Sequence, residues 1–236
     1  MPEVAVIGTG AVGTAAATAA EQAGADVVIC ARSAAGGPVT LELDGEERPV
    51  AAPVITDADA ARPVDGVLLA TKAQQTPQAR PWLARQCRPG TVVVVLQNGV
   101  DHVERVAPLA DGASVLPALV YVAVERVDRG RVVHRRGRRV VVPAGPPGRA
   151  FAGLLDGSWL EIAEDPDFCR CRQLLFRRHR AGTLAGAIAD AKRRVQPLFG
   201  CIAQRLERPP YKREVGGSNP PAPTGSVTVA PDTSVA

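Results

Sequence analysis

A glycine-rich motif near the amino terminus is the feature that most constrains how this chain can fold. Residues 5–13 read Ala-Val-Ile-Gly-Thr-Gly-Ala-Val-Gly, so a short apolar run leads into G-x-G-x-x-G and then into an alanine-rich helical pattern. Between a strand and a helix, the first glycine permits a tight turn, the second lets a pyrophosphate approach the backbone, and the third lets the helix pack closely. The amino terminus of the helix offers N–H groups to the phosphates. The motif therefore predicts a dinucleotide site at Gly8, Thr9, Gly10, Ala11, Val12 and Gly13. The alternative is a glycine-rich turn that binds no ligand.

The end of the second predicted strand indicates which dinucleotide is bound. Sites for NAD carry an acid there, about 20 residues after the glycines, which accepts a hydrogen bond from the ribose 2′-hydroxyl. In this chain the strand over residues 27–31 is followed by Arg32 and Ser33. A guanidinium pairs bidentately with a 2′-phosphate, and a hydroxyl adds a hydrogen bond. We therefore predict NADP(H), held in part by Arg32; a solvated surface arginine is the alternative.

The order of the predicted elements favours a Rossmann-type, doubly wound parallel sheet of the α/β class. Strands and helices alternate in the first part of the chain, and the runs 66–71 and 91–96 are almost wholly apolar, as buried parallel strands are. After residue 114 the pattern changes to antiparallel strands over 119–125, 131–134 and 138–142, which we predict to form a meander at the edge of the sheet. The predicted domain covers residues 1–167.

Local signals predict how the remaining elements begin and end. The pair Asp44-Gly45 predicts a hairpin turn between an extended segment over 39–43 and a strand over 48–54. A helix is predicted over 76–87. Another is predicted over 101–106, with Asp101 as its cap.

Polar residues follow the two apolar strands. Because ligands bind beyond the carboxyl ends of the strands in open α/β sheets, we expect Lys72 and Asn98 to lie at the cofactor cleft. Lys72 neutralises phosphate or carboxylate charge, and Asn98 offers both a donor and an acceptor. The alternatives are a solvated cation at Lys72 and a helix-capping amide at Asn98.

Charge and cysteine content narrow the function class. The net charge of +4 is uneven, since residues 1–167 carry −4 and residues 168–236 carry +8. Aromatic residues make up only 3%, which argues against base-stacking nucleic-acid modules. Five cysteines without a C-x-x-C pair, and no signal peptide, predict a cytoplasmic protein without a metal site. No apolar stretch is long enough to span a membrane, and the oligomeric state stays open.

Together these motifs resemble the ketopantoate reductase (2-dehydropantoate 2-reductase) family. The resemblance covers roughly residues 1–167 and rests on the segments 5–13, 68–75 (Leu-Leu-Ala-Thr-Lys-Ala-Gln-Gln), 96–100 (Leu-Gln-Asn-Gly-Val) and 120–134. The family reduces the keto group of 2-dehydropantoate to pantoate with NADPH, a step toward pantothenate and coenzyme A. The resemblance implies an oxidoreductase with a small keto-acid substrate. It implies cofactor contacts at Gly8 to Gly13, Arg32, Lys72, Gln75, Asn98 and Val124, with Asn98 also reaching the substrate.

The carboxyl-terminal third departs from the family pattern. The resemblance aligns Gln173 with the lysine that serves the family as general acid, and an amide cannot supply that proton, so we predict no catalytic residue. Transfer of the role to Lys192 or to a water is the alternative. From about residue 177 the helical periodicity disappears and prolines accumulate. We predict a remnant of a helical substrate domain over 168–200 and a disordered tail over 201–236.

The composition of this third suggests altered coding sequence. Residues 217–220, Gly-Ser-Asn-Pro, can be encoded by GGTTCGAATCC, the T-arm consensus of transfer-RNA genes. We therefore expect a frameshift near Phe176 followed by read-through, and a basic nucleic-acid-binding arm is the competing interpretation. Three possibilities for the chain follow: a reductase that is weak or inactive, a non-catalytic NADP-binding module such as a redox sensor, or a non-functional fragment that does not accumulate.

Overall fold

The computed structural model describes residues 1–33, 39–99, 101–128 and 130–168. The strands are, in chain order, β1 (Glu3–Ile7), β2 (Asp26–Cys30), β3 (Thr40–Leu43), β4 (Glu46–Pro49), β5 (Val54–Ile55), β6 (Gly66–Leu69), β7 (Val92–Val95), β8 (Ser114–Pro117), β9 (Leu119–Arg126), β10 (Arg131–Pro143) and β11 (Glu161–Asp165). The α-helices are α1 (Ala11–Gln22), α2 (Arg80–Gln86), α3 (His102–Val106) and α4 (Pro146–Leu154). Gln173, Lys192 and most of the two predicted carboxyl-terminal segments lie outside the described residues.

A parallel sheet forms the first layer, and it confirms the predicted fold class. Its strand order is β5-β2-β1-β6-β7-β8, and every neighbouring pair is parallel. This is the order of doubly wound dinucleotide-binding folds, in which the order reverses between β1 and β6. The carboxyl ends of β1, β2 and β6 therefore meet at one edge, beside that reversal.

Apolar side chains cover both faces of the parallel sheet. Along β1, Val4 and Val6 enter one core cluster, whereas Ala5 and Ile7 enter the other, as the alternation of a strand requires. All residues of β6 and β7 are buried because helices or a second sheet cover them on both sides. The apolar runs at 66–71 and 91–96 thus became central strands as predicted.

The antiparallel strands belong to a second sheet and not to an edge of the first. β10 lies at its centre, with β9 antiparallel on one side and with β3 and β11 parallel on the other; β4 pairs with β3. The predicted strands 131–134 and 138–142 are one strand, β10, with an irregular register between them. Gly137 has φ +74°, and a Cβ there would overlap the carbonyl oxygen of Tyr121. This glycine therefore makes a bulge within a strand, at the break between the two predicted strands.

Helix α1 lies between the two sheets. Residues 13–20 of α1 are all buried, and the helix packs against β1 and β2 on one side and against β9 and β10 on the other. A helix that is covered all round needs apolar or small residues on every face. The alanines, glycine and threonines of α1 meet this need and keep the helix thin enough for both sheets to approach it.

Three local predictions were wrong for identifiable reasons. The helix predicted over 76–87 begins as a 3₁₀ segment, Ala73–Ala79, and is α-helical only from Arg80. Pro81 lies in the first turn of α2, where a helix tolerates proline. Asp101 makes no side-chain cap; its carboxylate pairs with Arg105 at 2.5 Å. The strand predicted over 48–54 is divided, because β4 ends at Pro49 and β5 pairs with β2.

Candidate functional site

Gly8, in the turn between β1 and α1, and Gly13, in the first turn of α1, are required for steric reasons. Gly8 has φ +115°, and its N–H donates to the carbonyl oxygen of Cys30 at 3.0 Å. A Cβ on Gly8 would lie 3.1 Å from the backbone of Ala70 and Thr71, and a Cβ on Gly13 would overlap the carbonyl oxygen of Gly8. Gly8 and Gly13 are therefore explained by the packing of strand against helix.

Gly10 differs from these two glycines, because nothing in the fold requires a glycine there. Its φ of −69° and ψ of 178° suit any residue, and an added Cβ would meet only the carbonyl oxygen of Ala70, 4.0 Å away. Gly10 is exposed and is the N-cap of α1, without a side-chain cap. The first N–H groups of a helix have no intrahelical acceptor and carry the positive end of its dipole. Open space above Gly10 thus lies next to an anion-attracting helix end.

A cleft of about 330 Å³ opens at the carboxyl ends of β1, β2 and β6. It is lined by Ile7, Gly8, Thr9, Gly10, Cys30, Ala31, Arg32, Ala70, Thr71, Lys72, Gln75, Gln78, Ala79, Trp82 and Arg126. Six of the residues singled out in the sequence are among them, namely Gly8, Thr9, Gly10, Arg32, Lys72 and Gln75. The structure therefore brings together residues from three separate segments of the chain.

The cleft is basic although the domain around it is acidic. Arg32, Lys72 and Arg126 line it, and its described lining contains no aspartate or glutamate. Residues 1–167 carry a net charge of −4, so this local excess of positive charge is not a property of the whole surface. Within the described residues, neither Arg32 nor Lys72 forms an ion pair. Both cations are thus available to an anionic ligand.

The other predicted contacts lie outside the lining of this cleft. Ala11 and Val12, in the first turn of α1, are half-buried against the core between the sheets. Val124 is half-buried on β9, where it pairs with His134. Asn98 is exposed just beyond β7. The predicted cofactor contacts of Asn98 and Val124 remain predictions.

Gln97, which the sequence analysis did not single out, connects the segments that follow β6 and β7. Its side chain is buried; Oε1 accepts from Thr76 Oγ1 at 3.1 Å and from Arg105 Nη2 at 2.8 Å, and Nε2 donates to Thr71 Oγ1 at 2.9 Å. Thr71 lines the cleft, so Gln97 supports the cleft wall from behind. Alternation along β7 places Gln97 on the face of Val93 and Val95, but the opposite face is buried as well, so the sequence carries no signal that singles out Gln97.

The thiol at the base of the cleft is structural. Cys30 is 1% exposed, and Gln86 Nε2 donates to its Sγ at 3.0 Å. Desolvation raises the pKa of Cys30 to about 11, so the thiol stays protonated at neutral pH and is a poor nucleophile. The described residues hold no group of three or more histidines, cysteines, aspartates or glutamates that could bind a metal ion, and none of their helices is long and apolar enough to cross a membrane.

Comparison with known proteins connects this geometry to a family. The family model for ketopantoate reductase PanE/ApbA matches residues 4–147. The chain is 40% identical to the 2-dehydropantoate 2-reductase of Mycobacterium tuberculosis over 193 residues, which are 81% of this chain and 64% of the relative. It is 36% identical to the corresponding enzyme of Caulobacter vibrioides over 171 residues, 71% of this chain and 58% of that protein. The chain thus spans less than two thirds of the length of these curated relatives.

Solved structures share the fold. A PanE/ApbA family ketopantoate reductase from Ralstonia eutropha superposes with a TM-score of 0.66 at 24% identity, over 73% of this chain and 59% of that one. A 2-dehydropantoate 2-reductase from Methylococcus capsulatus gives a TM-score of 0.64 at 18% identity, over 86% of this chain and 72% of that one. The family match covers both the glycine-rich turn and the strands that form the basic cleft. The chain therefore belongs to the ketopantoate reductase family.

Proposed function

We propose that this chain binds NADP(H) in the cleft beside β1, β2 and β6 and takes part in the reduction of 2-dehydropantoate to pantoate. The observation that carries the proposal is the set of three basic side chains, without a carboxylate in the described lining, around the open space at Gly10. A phosphate-rich dinucleotide matches that charge and that space. The reaction itself is inferred from the relatives named 2-dehydropantoate 2-reductase.

The residues of the cleft fit the parts of this cofactor. The turn at Gly8 to Gly10 and the amino terminus of α1 would hold the pyrophosphate, and Arg32 with Ser33 would hold the 2′-phosphate. Lys72, which follows β6, and Gln75, in the 3₁₀ segment Ala73–Ala79, would contact the cofactor from the other wall. We propose Asn98 and Val124 as further contacts. When bound, NADPH supplies the hydride that reduces the keto carbon.

The chain's own task in such a reaction is to place the keto acid and to supply a proton to the developing alkoxide. The proposed substrate is a small keto acid, whose carboxylate needs a cation or hydrogen-bond donors as partners. A non-catalytic NADP-binding module is the second candidate function. It is favoured by Gln173, which stands where the family resemblance expects the general-acid lysine, since an amide does not supply that proton.

Two assays on the full chain separate these functions. A fluorescence titration with NADPH measures binding, and the loss of NADPH absorbance in the presence of 2-dehydropantoate measures turnover. Binding with turnover supports the reductase. Binding without turnover, at saturating keto acid, supports the module. A folded sample, verified by circular dichroism, that does not bind NADPH contradicts both.

The cellular compartment is part of the same proposal. Cys30 and Cys87 are free thiols, and desolvation raises the pKa of each to about 11. Free thiols persist in reducing compartments, which supports a cytoplasmic protein.

A further inference from the structure

We infer that Arg126 is a further cofactor-binding residue, which positions the glycine-rich turn and supplies positive charge to the pyrophosphate of the dinucleotide. This inference rests on the proposed function and goes beyond the residues that the sequence motifs marked out.

Arg126 reaches the cleft from the second sheet. It is the last residue of β9, and its backbone is held opposite Val132 of β10. Its Nη2 donates to the carbonyl oxygen of Thr9, which lies in the turn between β1 and α1. One side chain thus connects the second sheet directly to the turn whose backbone faces the cleft.

The guanidinium has donors left after this contact. Arginine carries five N–H donors in a planar fork, and the bond to Thr9 uses only part of them. Arg126 is exposed and lines the cleft together with Arg32 and Lys72. A phosphate oxygen near Thr9 would receive charge-assisted hydrogen bonds from the unused donors.

The acids next to Arg126 have other partners among the described residues. Glu125, next to it on β9, pairs with Arg135 at 2.8 Å, and Asp128 accepts the backbone N–H of Arg131 at 3.1 Å. No carboxylate is among the described residues that line the cleft. The positive charge of Arg126 is therefore available to an anionic ligand in the cleft.

The two arginines of the cleft lie at different places along the proposed cofactor. Arg126 contacts the residue between Gly8 and Gly10, where the pyrophosphate belongs, whereas Arg32 follows β2, where the 2′-phosphate belongs. Loss of Arg126 should therefore weaken NADPH and NADH alike. Loss of Arg32 should weaken NADPH selectively, because only NADPH carries the 2′-phosphate.

The test is a set of titrations on the full chain with NADPH and NADH as probes. We expect Arg126→Gln to raise both dissociation constants about tenfold and to leave their ratio unchanged. Arg126→Lys, which keeps the charge and loses the fork, should recover part of the loss. The matched control is Arg138→Gln, an arginine of the same sheet that pairs with Asp44 and does not line the cleft; it should bind as the unmodified chain does.

Salt distinguishes a charge contact from a purely structural role. If Arg126 acts on the pyrophosphate, the difference between the unmodified chain and Arg126→Gln shrinks as ionic strength rises, because salt screens the interaction. The inference is overturned if the variant binds both probes as tightly as the unmodified chain, or if its loss is independent of salt. Absence of NADPH binding by the unmodified chain would instead refute the proposed function.

Discussion

Substitution of Gly10 by alanine separates the needs of the fold from the needs of the ligand. The backbone at Gly10 is favourable for alanine, and the new methyl group meets nothing closer than the oxygen of Ala70 at 4.0 Å. Alanine is a poorer N-cap than glycine by about 1 kcal/mol. Alanine also lowers the entropy of the unfolded chain, which stabilises by about 0.4–1 kcal/mol. These terms nearly cancel, so we expect the free energy of unfolding to change by less than about 1 kcal/mol.

Cofactor binding should respond quite differently. The methyl group of Gly10→Ala would occupy the space through which a pyrophosphate approaches the first N–H groups of α1. Loss of one charge-assisted hydrogen bond costs about 2 kcal/mol, which corresponds to about thirtyfold in the dissociation constant for NADPH. The assay is a fluorescence titration with NADPH beside urea unfolding of the same preparation.

Gly13→Ala is the matched control, since it makes the same chemical change three residues later. There the methyl group overlaps the carbonyl oxygen of Gly8, so strand and helix must move apart. Overpacking costs about 1–3 kcal/mol, and an overlap with a rigid backbone oxygen belongs to the upper part of that range, above the roughly 1 kcal/mol of helix propensity that alanine regains. The reasoning is refuted if Gly10→Ala binds NADPH like the unmodified chain, or if it unfolds as easily as Gly13→Ala.

Three further substitutions test other parts of the account. Arg32→Glu should raise the dissociation constant for NADPH much more than that for NADH; an unchanged ratio in paired titrations would contradict the assignment of NADP. Gln97→Leu leaves the hydroxyls of Thr71 and Thr76 without their amide partner, so we expect it to lower the free energy of unfolding, measured in urea, by about 1–3 kcal/mol. The control is Asn98→Ala at the neighbouring exposed position, which should change the free energy of unfolding by less than about 0.5 kcal/mol. Burial raises the pKa of Glu21 above 4.5 in the folded chain, so ionisation of Glu21 opposes folding as the pH rises above that value. Glu21→Gln should therefore be more stable than the unmodified chain at pH 7. This gain in the free energy of unfolding should vanish below pH 4.5. Equal stability differences at both pH values would refute that interpretation.

The parallel sheet and most of its cleft were predictable because their signals are local. The run Val4 to Ile7, the glycines after it and the apolar runs at 66–71 and 91–96 each define a strand and the turn at its end. Since parallel strands bring their carboxyl ends to one edge, Arg32 and Lys72 had to lie near Gly10 once the fold class was known. Strand β8 was missed because Ser114–Pro117 is a short edge strand that ends in proline.

The second sheet was not predictable in the same way. In its central pairing, Leu41 of β3 lies opposite Val132 of β10, and these two strands are far apart in the chain. A local sequence pattern predicts a strand but does not predict which distant strand it pairs with. The role of Arg126 depends on that pairing, because the position of β9 decides which of many arginines reaches Thr9. Gln97 and Asn98 illustrate a smaller gap: both amides follow β7, whose two faces are both buried, so alternation along the strand does not tell that Gln97 is buried and Asn98 exposed.

The most direct measurement of the central claim is a nuclear magnetic resonance titration of the isotope-labelled full chain with NADPH. The account predicts saturable changes in the amide signals of Gly8, Thr9, Gly10 and Arg32, with much smaller changes on β11 and α4, which do not line the cleft. Saturable binding that leaves the amides of the glycine-rich turn unchanged, or no spectral change at all in a folded sample, would contradict it.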